Sequence, residues 1–340
     1  MSEQGPGGKA AAVRLSVVAP CFNEEAGLVE FHRRVTAACV MAVGLSYEIV
    51  LVNDGSRDGT WALMRRLAAQ DRHIVAINLS RNYGHQIALT AGLHSCQGDR
   101  VLIIDADLQD PPELLPEMMA AMDEGADVVY GQRRRRHGDT LFKTWTAALF
   151  YRLLRRLVEV EIPLDTGDFR LISRRALKVL NSMPEQFRFI RGMVSWMGLR
   201  QVPLAYDREA RFAGKTGYSF AKMIRFAFDA VTGFSIVPLR LASYLGLGMG
   251  AAGLAMLCYT IGGWIFGSTV AGWTSLATMV LVIGSTQLLV LGMFGEYIGR
   301  LYLETKRRPL YIVDSVVAHR AEMARSLDQA ALPEQRHAAS

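Results

Sequence analysis

Two carboxylates one residue apart close the apolar run Leu102-Ile-Ile-Asp-Ala-Asp-Leu-Gln-Asp-Pro-Pro-Glu113. Like charges that close repel, and one of them takes up a proton unless a cation lies between them and a ligand. A divalent ion resolves the conflict. Magnesium-type ions favour oxygen donors, keep several waters and use one or two carboxylates together with substrate phosphates. Asp107, Asp105 and the amide oxygen of Gln109 supply the protein's half of such a shell and a diphosphate completes it, so Mg or Mn is the expected cofactor. A bare aspartate pair is a weak signal on any surface. Its weight here comes from where the chain places it.

The elements around it alternate. Leu15–Ala19 is a short apolar strand, followed by Pro20-Cys-Phe-Asn-Glu-Glu25 and a helical spacing through Leu28, Phe31, Val35 and Cys39. Tyr47–Val52 is a second strand, ending in Asn53-Asp-Gly-Ser56 and leading to a helix over 60–70. Ile74–Leu79 is a third, followed by a helix over 84–95, and Arg100–Asp105 a fourth. Strand, loop and helix repeated with apolar strands predict an α/β fold with a parallel sheet covered on both faces. Ligands bind such sheets outside the carboxyl ends of the strands. Three of these ends carry Asn23 and Glu24, then Asp54, then Asp105 and Asp107, and the topology predicts that they meet in one crevice. No GxGxxG follows the first strand and no GxxxxGK[ST] occurs, so a dinucleotide fingerprint and a P-loop are both disfavoured.

Charge is distributed unevenly over the 340 residues. Lys and Arg number 38 against 32 Asp and Glu, a net charge of +6, which favours anionic partners without choosing among them. Between Leu241 and Gly295 no charged residue occurs. A break of small and turn-forming residues over 267–275 divides that run into stretches at about 241–266 and 275–298, each above the roughly 20 residues needed to cross a bilayer. Arg240 precedes the first, while Arg300, Lys306, Arg307 and Arg308 follow the second, so the positive-inside rule predicts a two-span hairpin with both termini cytoplasmic. The amino-terminal apolar run is too short for a secretory signal, which leaves the first 235 or so residues in the cytosol. Small residues over 246–253 permit close helix approach and predict a homo-oligomer. The four cysteines lack metal-binding spacing and read as small buried hydrophobes in a reducing compartment.

Five motifs, taken in order, resemble glycosyltransferase family 2, and within it the polyprenyl-phosphate glycosyltransferases. They are Val18-Ala-Pro-Cys-Phe-Asn-Glu-Glu25, Val52-Asn-Asp-Gly-Ser-Arg-Asp-Gly59, Asp105–Glu113, Val129-Tyr-Gly-Gln-Arg133 and Gly167-Asp-Phe-Arg170. The resemblance covers nearly the whole chain. It implies a GT-A catalytic domain over 1–217, an amphipathic juxtamembrane segment over 218–239, the transmembrane hairpin over 240–299 and a cytoplasmic tail over 300–340. It also implies an inverting, metal-dependent transfer of a sugar from a nucleoside diphosphate to undecaprenyl or a related polyprenyl phosphate at the bilayer, with no nucleic acid involved. Glucose is the first choice by family frequency, and mannose, N-acetylglucosamine and 4-amino-arabinose derivatives are the alternatives that the pocket residues do not separate from it. Pro20, Phe22, Glu24, Val52 and Asp54 then line the base and ribose pocket, and Asp105, Ala106 and Asp107 face the donor diphosphate, with Asp107 and Gln109 on the metal. Arg133 meets the phosphates of donor or acceptor. Lys143 stands in for the family's second phosphate-binding arginine, which has no direct counterpart. Arg211 and Lys215 fit a basic loop over the site, and Asp168 is the carboxylate near the acceptor.

A lipid phosphate is already anionic at neutral pH, so deprotonation contributes little to its attack and positioning contributes more. Asp168 is therefore expected to orient groups rather than act as an essential base. Leu141–Leu157 and Gly217–Phe234 have amphipathic spacing suited to a bilayer surface or to packing within the protein. Arg134 to Arg136 read as a solvated run, His85 and His94 as structural histidines, and Trp196 and Met197 as core. Three rival readings fit less well. A haloacid-dehalogenase phosphatase requires DxDxT, a processive synthase requires QxxRW, and a non-catalytic membrane scaffold has no need to keep Asp54, Asp105, Asp107 and Gln109 together.

Overall fold

The computed structural model describes residues 13–134, 166–207, 237–265 and 273–319. The chain forms two compact units, and among the described residues the second holds 237–308 and the first the remainder. Lys143, Arg211, Lys215 and both amphipathic segments lie outside the described residues.

The first unit is built on β1 (Leu15–Cys21), α1 (Leu28–Val43), β2 (Tyr47–Asn53), α2 (Thr60–Gln70), β3 (Ile74–Leu79), α3 (His85–Ser95) and β4 (Arg100–Ile103). It continues with α4 (Leu115–Asp123), β5 (Val128–Arg133), β6 (Thr166–Ser173), α5 (Arg174–Ser182), α6 (Ile190–Trp196) and β7 (Gln201–Tyr206). One eight-stranded sheet runs β7-β5-β6-β4-β1-β2-β3-β8, where β8 is Val313–Ala318. Its centre, β4-β1-β2-β3, is parallel as the βαβ alternation predicts. β1 and β2 are buried along their whole length, because helices cover both faces. Leu28, Phe31, Val35 and Cys39 of α1 form the stripe that packs on one face, in a core shared with Leu51, Met64, Met118 and Phe169.

On the other face α3 lies unusually close. A Cβ on Gly92 would sit 2.3 Å from Val18 Cγ1 and 3.1 Å from Val52 Cγ2, so only glycine permits this approach. That packing fixes α3 with its first residue, His85, at the carboxyl ends of the strands. β4 stops at Ile103, and Asp105 begins the turn that follows rather than ending the strand.

Three features depart from the sequence reading. β6 is antiparallel to both β4 and β5, so the sheet is mixed beyond β4. Within the tail expected over 300–340, Val313–Ala318 is the edge strand β8, antiparallel to β3 and held also by Asn78 Nδ2 donating to Asp314 Oδ2 at 2.9 Å. Its Val-Asp-Ser-Val-Val-Ala pattern is too short to stand out from a charged surrounding. Trp196, expected in the core, is 64% exposed at the end of the short helix α6.

The second unit contains α7 (Val237–Ile265) and α8 (Trp273–Thr305), which touch each other. Among the described residues, Val282–Thr305 is the stretch long and apolar enough to cross a membrane, and Ala242–Ala255 is a shorter apolar stretch. α8 runs to Thr305, past the expected end of its span at about 298, and Glu296 and Arg300 form an ion pair of 3.4 Å across that end. Cys21, Cys39 and Cys96 are buried as expected, whereas Cys258 is exposed on α7.

Candidate active site

The first two loops are tied together. Asn23, in a left-handed conformation at φ 58°, accepts the Arg57 N–H through Oδ1 at 2.9 Å, and its own N–H reaches Ser56 Oγ at 3.0 Å. Glu25 Oε2 accepts the Gly59 N–H at 2.9 Å, and the Glu24 N–H donates to Thr60 Oγ1 at 2.9 Å. Each loop thus satisfies the other's backbone, which is why the polar motifs after β1 and β2 are both needed.

The β3–α3 loop is held in the same manner. Asp54 accepts the Tyr83 N–H on Oδ1 at 2.7 Å and the Gly84 N–H on Oδ2 at 3.0 Å, and Asn82 Nδ2 returns a bond to the Asp54 carbonyl at 3.0 Å. Gly55, at φ +65°, comes so near that a Cβ there would stand 2.5 Å from Asn82 N. Burial pushes the Asp54 carboxyl upward in pKa, against the two backbone donors.

These loops enclose a cleft of about 280 Å³ at the carboxyl ends of the parallel strands. Pro20, Phe22, Glu24, Asp54, Asp105, Ala106 and Asp107 all line it, joined by Asn82, Gly84 and His85. Phe22 is 43% exposed and so presents an open aromatic face. Val52 is not among the lining residues; its side chain is fully buried under Gly92. Gln109 also lies outside the lining, although its N–H donates to Asp107 Oδ1 at 3.1 Å across a turn in which Leu108 has φ 60°.

The cleft's electrostatics centre on His85. Its Nε2 lies 3.1 Å from Asp168 Oδ2 and 3.4 Å from Asp105 Oδ1. Burial opposes its positive charge, but the hydrogen bond to Asp168 and the charges of Asp105 and Asp168 outweigh that and lift its pKa to about 9. Asp105 is raised to about 6, first by burial and then by Asp168, Asp110 and Asp107, with His85 opposing. Asp168 accepts from Gln86 Nε2 at 2.9 Å and Arg191 Nε at 2.8 Å as well as from His85. His85, read from the sequence as a structural histidine, therefore belongs to the site. Its place at the start of the helix after β3 was the available signal, since a third strand end had to reach the same crevice. Arg191 carried no such signal.

Arg133 stands apart from the cleft lining. Its Nε donates to Tyr206 Oη at 3.3 Å, its Nη2 lies 3.8 Å from Asp110 Oδ1, and Tyr206 in turn donates to that buried carboxylate. The contact holds the guanidinium beside Gly167, next to Asp168. Arg134 is largely exposed, 3.5 Å from Asp207, as a solvated charge should be.

A divalent ion fits the donor set. Asp105 Oδ1 is buried and has no hydrogen-bond partner within the protein, leaving only the longer contact to His85. Among the described residues no group of three or more His, Cys, Asp or Glu could hold a metal unaided. Two carboxylates that leave the remaining positions to water and phosphate are the pattern of a magnesium-type site.

Residues 16–180 match the family described as Glycosyl transferase family 2. The chain is 44% identical over 302 residues to "Uncharacterized glycosyltransferase YkcC" of Bacillus subtilis (strain 168), covering 88% of this chain and 93% of that one. It is 37% identical over 310 residues to "Prophage bactoprenol glucosyl transferase homolog" of Escherichia coli (strain K12), covering 89% and 99%. It is likewise 37% identical over 309 residues to "Bactoprenol glucosyl transferase" of Shigella phage SfX, covering 89% and 99%.

Proposed function

This chain belongs to glycosyltransferase family 2, within its polyprenyl-phosphate glycosyltransferases, and we propose that it moves glucose from a nucleoside diphosphate to undecaprenyl phosphate or a related polyprenyl phosphate. The observation that carries this reading is the likeness to bactoprenol glucosyl transferases along 89% of the chain. The cleft supports it independently, since its lining combines Pro20 and the open ring of Phe22 with the carboxylates of Glu24, Asp54, Asp105 and Asp107, groups that suit a nucleoside and a metal-bound diphosphate.

In this reading Pro20 and the exposed ring of Phe22 take the base, Glu24 takes the ribose, and Asp54 holds the Asn82–Gly84 wall in place. Asp107 with Asp105 and Gln109 would hold Mg or Mn, which when bound supplies Lewis-acid stabilisation of the charge that develops on the departing diphosphate. Arg133, steadied by Tyr206, offers a second cation to phosphate. The acceptor phosphate attacks the anomeric carbon in a single displacement, so the product has inverted configuration. Because that nucleophile is already ionised, the residues near it orient rather than deprotonate. Lys143, Arg211 and Lys215 complete the phosphate-binding set. The reading also has α7 and α8 as a two-span hairpin with both termini cytoplasmic, placing the cleft on the leaflet where nucleotide sugars are made, and the hairpins as the contact of a homo-oligomer.

Purified protein is incubated with polyprenyl phosphate, magnesium and a panel of radiolabelled UDP- and GDP-sugars, with Asp107→Ala as control. Label enters a chloroform-extractable lipid from UDP-glucose and fails to do so in the control. A folded protein that labels lipid from none of the donors would overturn the reading, and label from another sugar alone would reassign the donor.

A further inference from the structure

Three side chains from two helices converge on one carboxylate. Asp168, on β6, is only 3% exposed, yet it receives Arg191 Nε on Oδ1 at 2.8 Å and both Gln86 Nε2 at 2.9 Å and His85 Nε2 at 3.1 Å on Oδ2. His85 and Gln86 are the first two residues of α3, and Arg191 is the second residue of α6. Gln86 uses both ends of its amide: while Nε2 donates to Asp168, Oε1 accepts the Ile190 N–H at 3.0 Å. A carboxylate can only accept and a backbone N–H can only donate, so one amide orientation satisfies both, and it locks the start of α6 to the start of α3. Arg191 is fixed twice as well, since its Nη1 donates to the Thr166 carbonyl at 3.0 Å. Two bonds from one planar guanidinium set its plane as well as its position.

This arrangement is more than Asp168 needs for solubility in the fold. One cation would neutralise it. Three donors spread over both oxygens remove its freedom to rotate, and the only member of the group that reaches the cleft lining is His85. We propose that Arg191 and Gln86 are positioning residues for the transfer reaction, holding Asp168 as a fixed anionic bracket that keeps His85 in one orientation beside Asp105. The inference rests on the transferase reading above. Arg191 and Gln86 do not line the cleft, so they act through Asp168 and His85 and not on the donor directly.

The test measures kcat and both KM values with full-length protein and the donor that the wild type uses, each rate normalised to the folded fraction. The variants are Arg191→Gln, Arg191→Lys and Gln86→Glu. The last keeps the size of the side chain and its bond to Ile190 while turning the contact with Asp168 repulsive. Removing the outer partner of a metal ligand costs about 10–100-fold, and the same range is taken for partners that act through Asp168 and His85 on Asp105. Arg191→Gln and Gln86→Glu are therefore expected to lose kcat in that range, with donor KM within about twofold, and Arg191→Lys, which keeps the charge but cannot make both guanidinium bonds, to fall with them. A purely structural role would lower the unfolding temperature while leaving kcat per folded molecule unchanged. Wild-type kcat in folded Gln86→Glu and Arg191→Gln, or in folded Arg191→Lys, would overturn the inference while leaving the transferase reading intact. Absence of transfer by the wild type itself would overturn both.

Discussion

Asp168 accepts from Arg191, Gln86 and His85 at once, and that leaves it poorly equipped to remove a proton. Burial alone would raise its pKa, but the Arg191 charge and the bond and charge of His85 hold it well below the usual carboxylate range. Asp168→Asn is accordingly expected to lose the same fraction of wild-type activity at about pH 6 and about pH 9; recovery at the higher pH would restore a general-base role. A second carboxylate allows a cleaner reading of stability. Burial opposes the charge of Asp71, yet its bonds from the His73 N–H and the rings of His32 and His73 win and lower its pKa. Its contribution is then fully present above its unfolded value near 3.9 and is lost as pH falls through the lower folded value. Asp71→Asn should destabilise the protein at neutral pH and flatten the acid limb of its unfolding curve, as read from urea midpoints between about pH 7 and pH 3. At this scale the sequence was legible wherever a residue announced its chemistry by type and spacing, as Asp105 and Asp107 do. It was opaque for His85, Gln86 and Arg191, whose roles come from partners 83, 82 and 23 residues away.

α3 illustrates what one element contributes to a site. Its close seat on β1 and β2 depends on the missing side chain of Gly92, and as a result its first residue is delivered to the cleft and its second to Asp168 behind it. Adding a methyl group there forces Val18 or the helix to shift. Gly92→Ala should cost about 1–3 kcal/mol by chemical unfolding, and should also weaken nucleotide binding because His85 and the Asn82–Gly84 wall move with the helix. The element pattern was readable because buried parallel strands are nearly continuous apolar runs and helices have a different period. The bounds of β3 and α2 could be taken directly from that alternation. β6 was not, because Thr166-Gly-Asp-Phe-Arg-Leu-Ile-Ser173 carries a buried aspartate and a buried arginine in its centre, and the aspartate is bonded to His85 and Arg191 rather than serving the sheet. Function obscured the strand.

Across the whole molecule, the chain leaves its catalytic unit, forms α7 and α8, and comes back to add β8 beside β3. A chain ending at residue 308 would bare the edge of β3, a row of unpaired backbone groups that invites strand addition from another copy. Such a truncation is expected to self-associate and to unfold at lower denaturant than the full chain, measured by size exclusion and urea titration, whereas Asp314→Ala, which removes only the bond from Asn78, should shift the midpoint little. The apolar helices were legible at this scale as a charge-free run, and the returning strand was not, since nothing in six residues names a partner more than two hundred positions earlier. The placement of β8 also orders events in time. The ribosome makes the apolar helices before it makes the last strand, so the catalytic sheet stays one strand short until α7 and α8 have emerged. Completion of the catalytic fold is thereby scheduled after the helices that would commit the chain to a membrane.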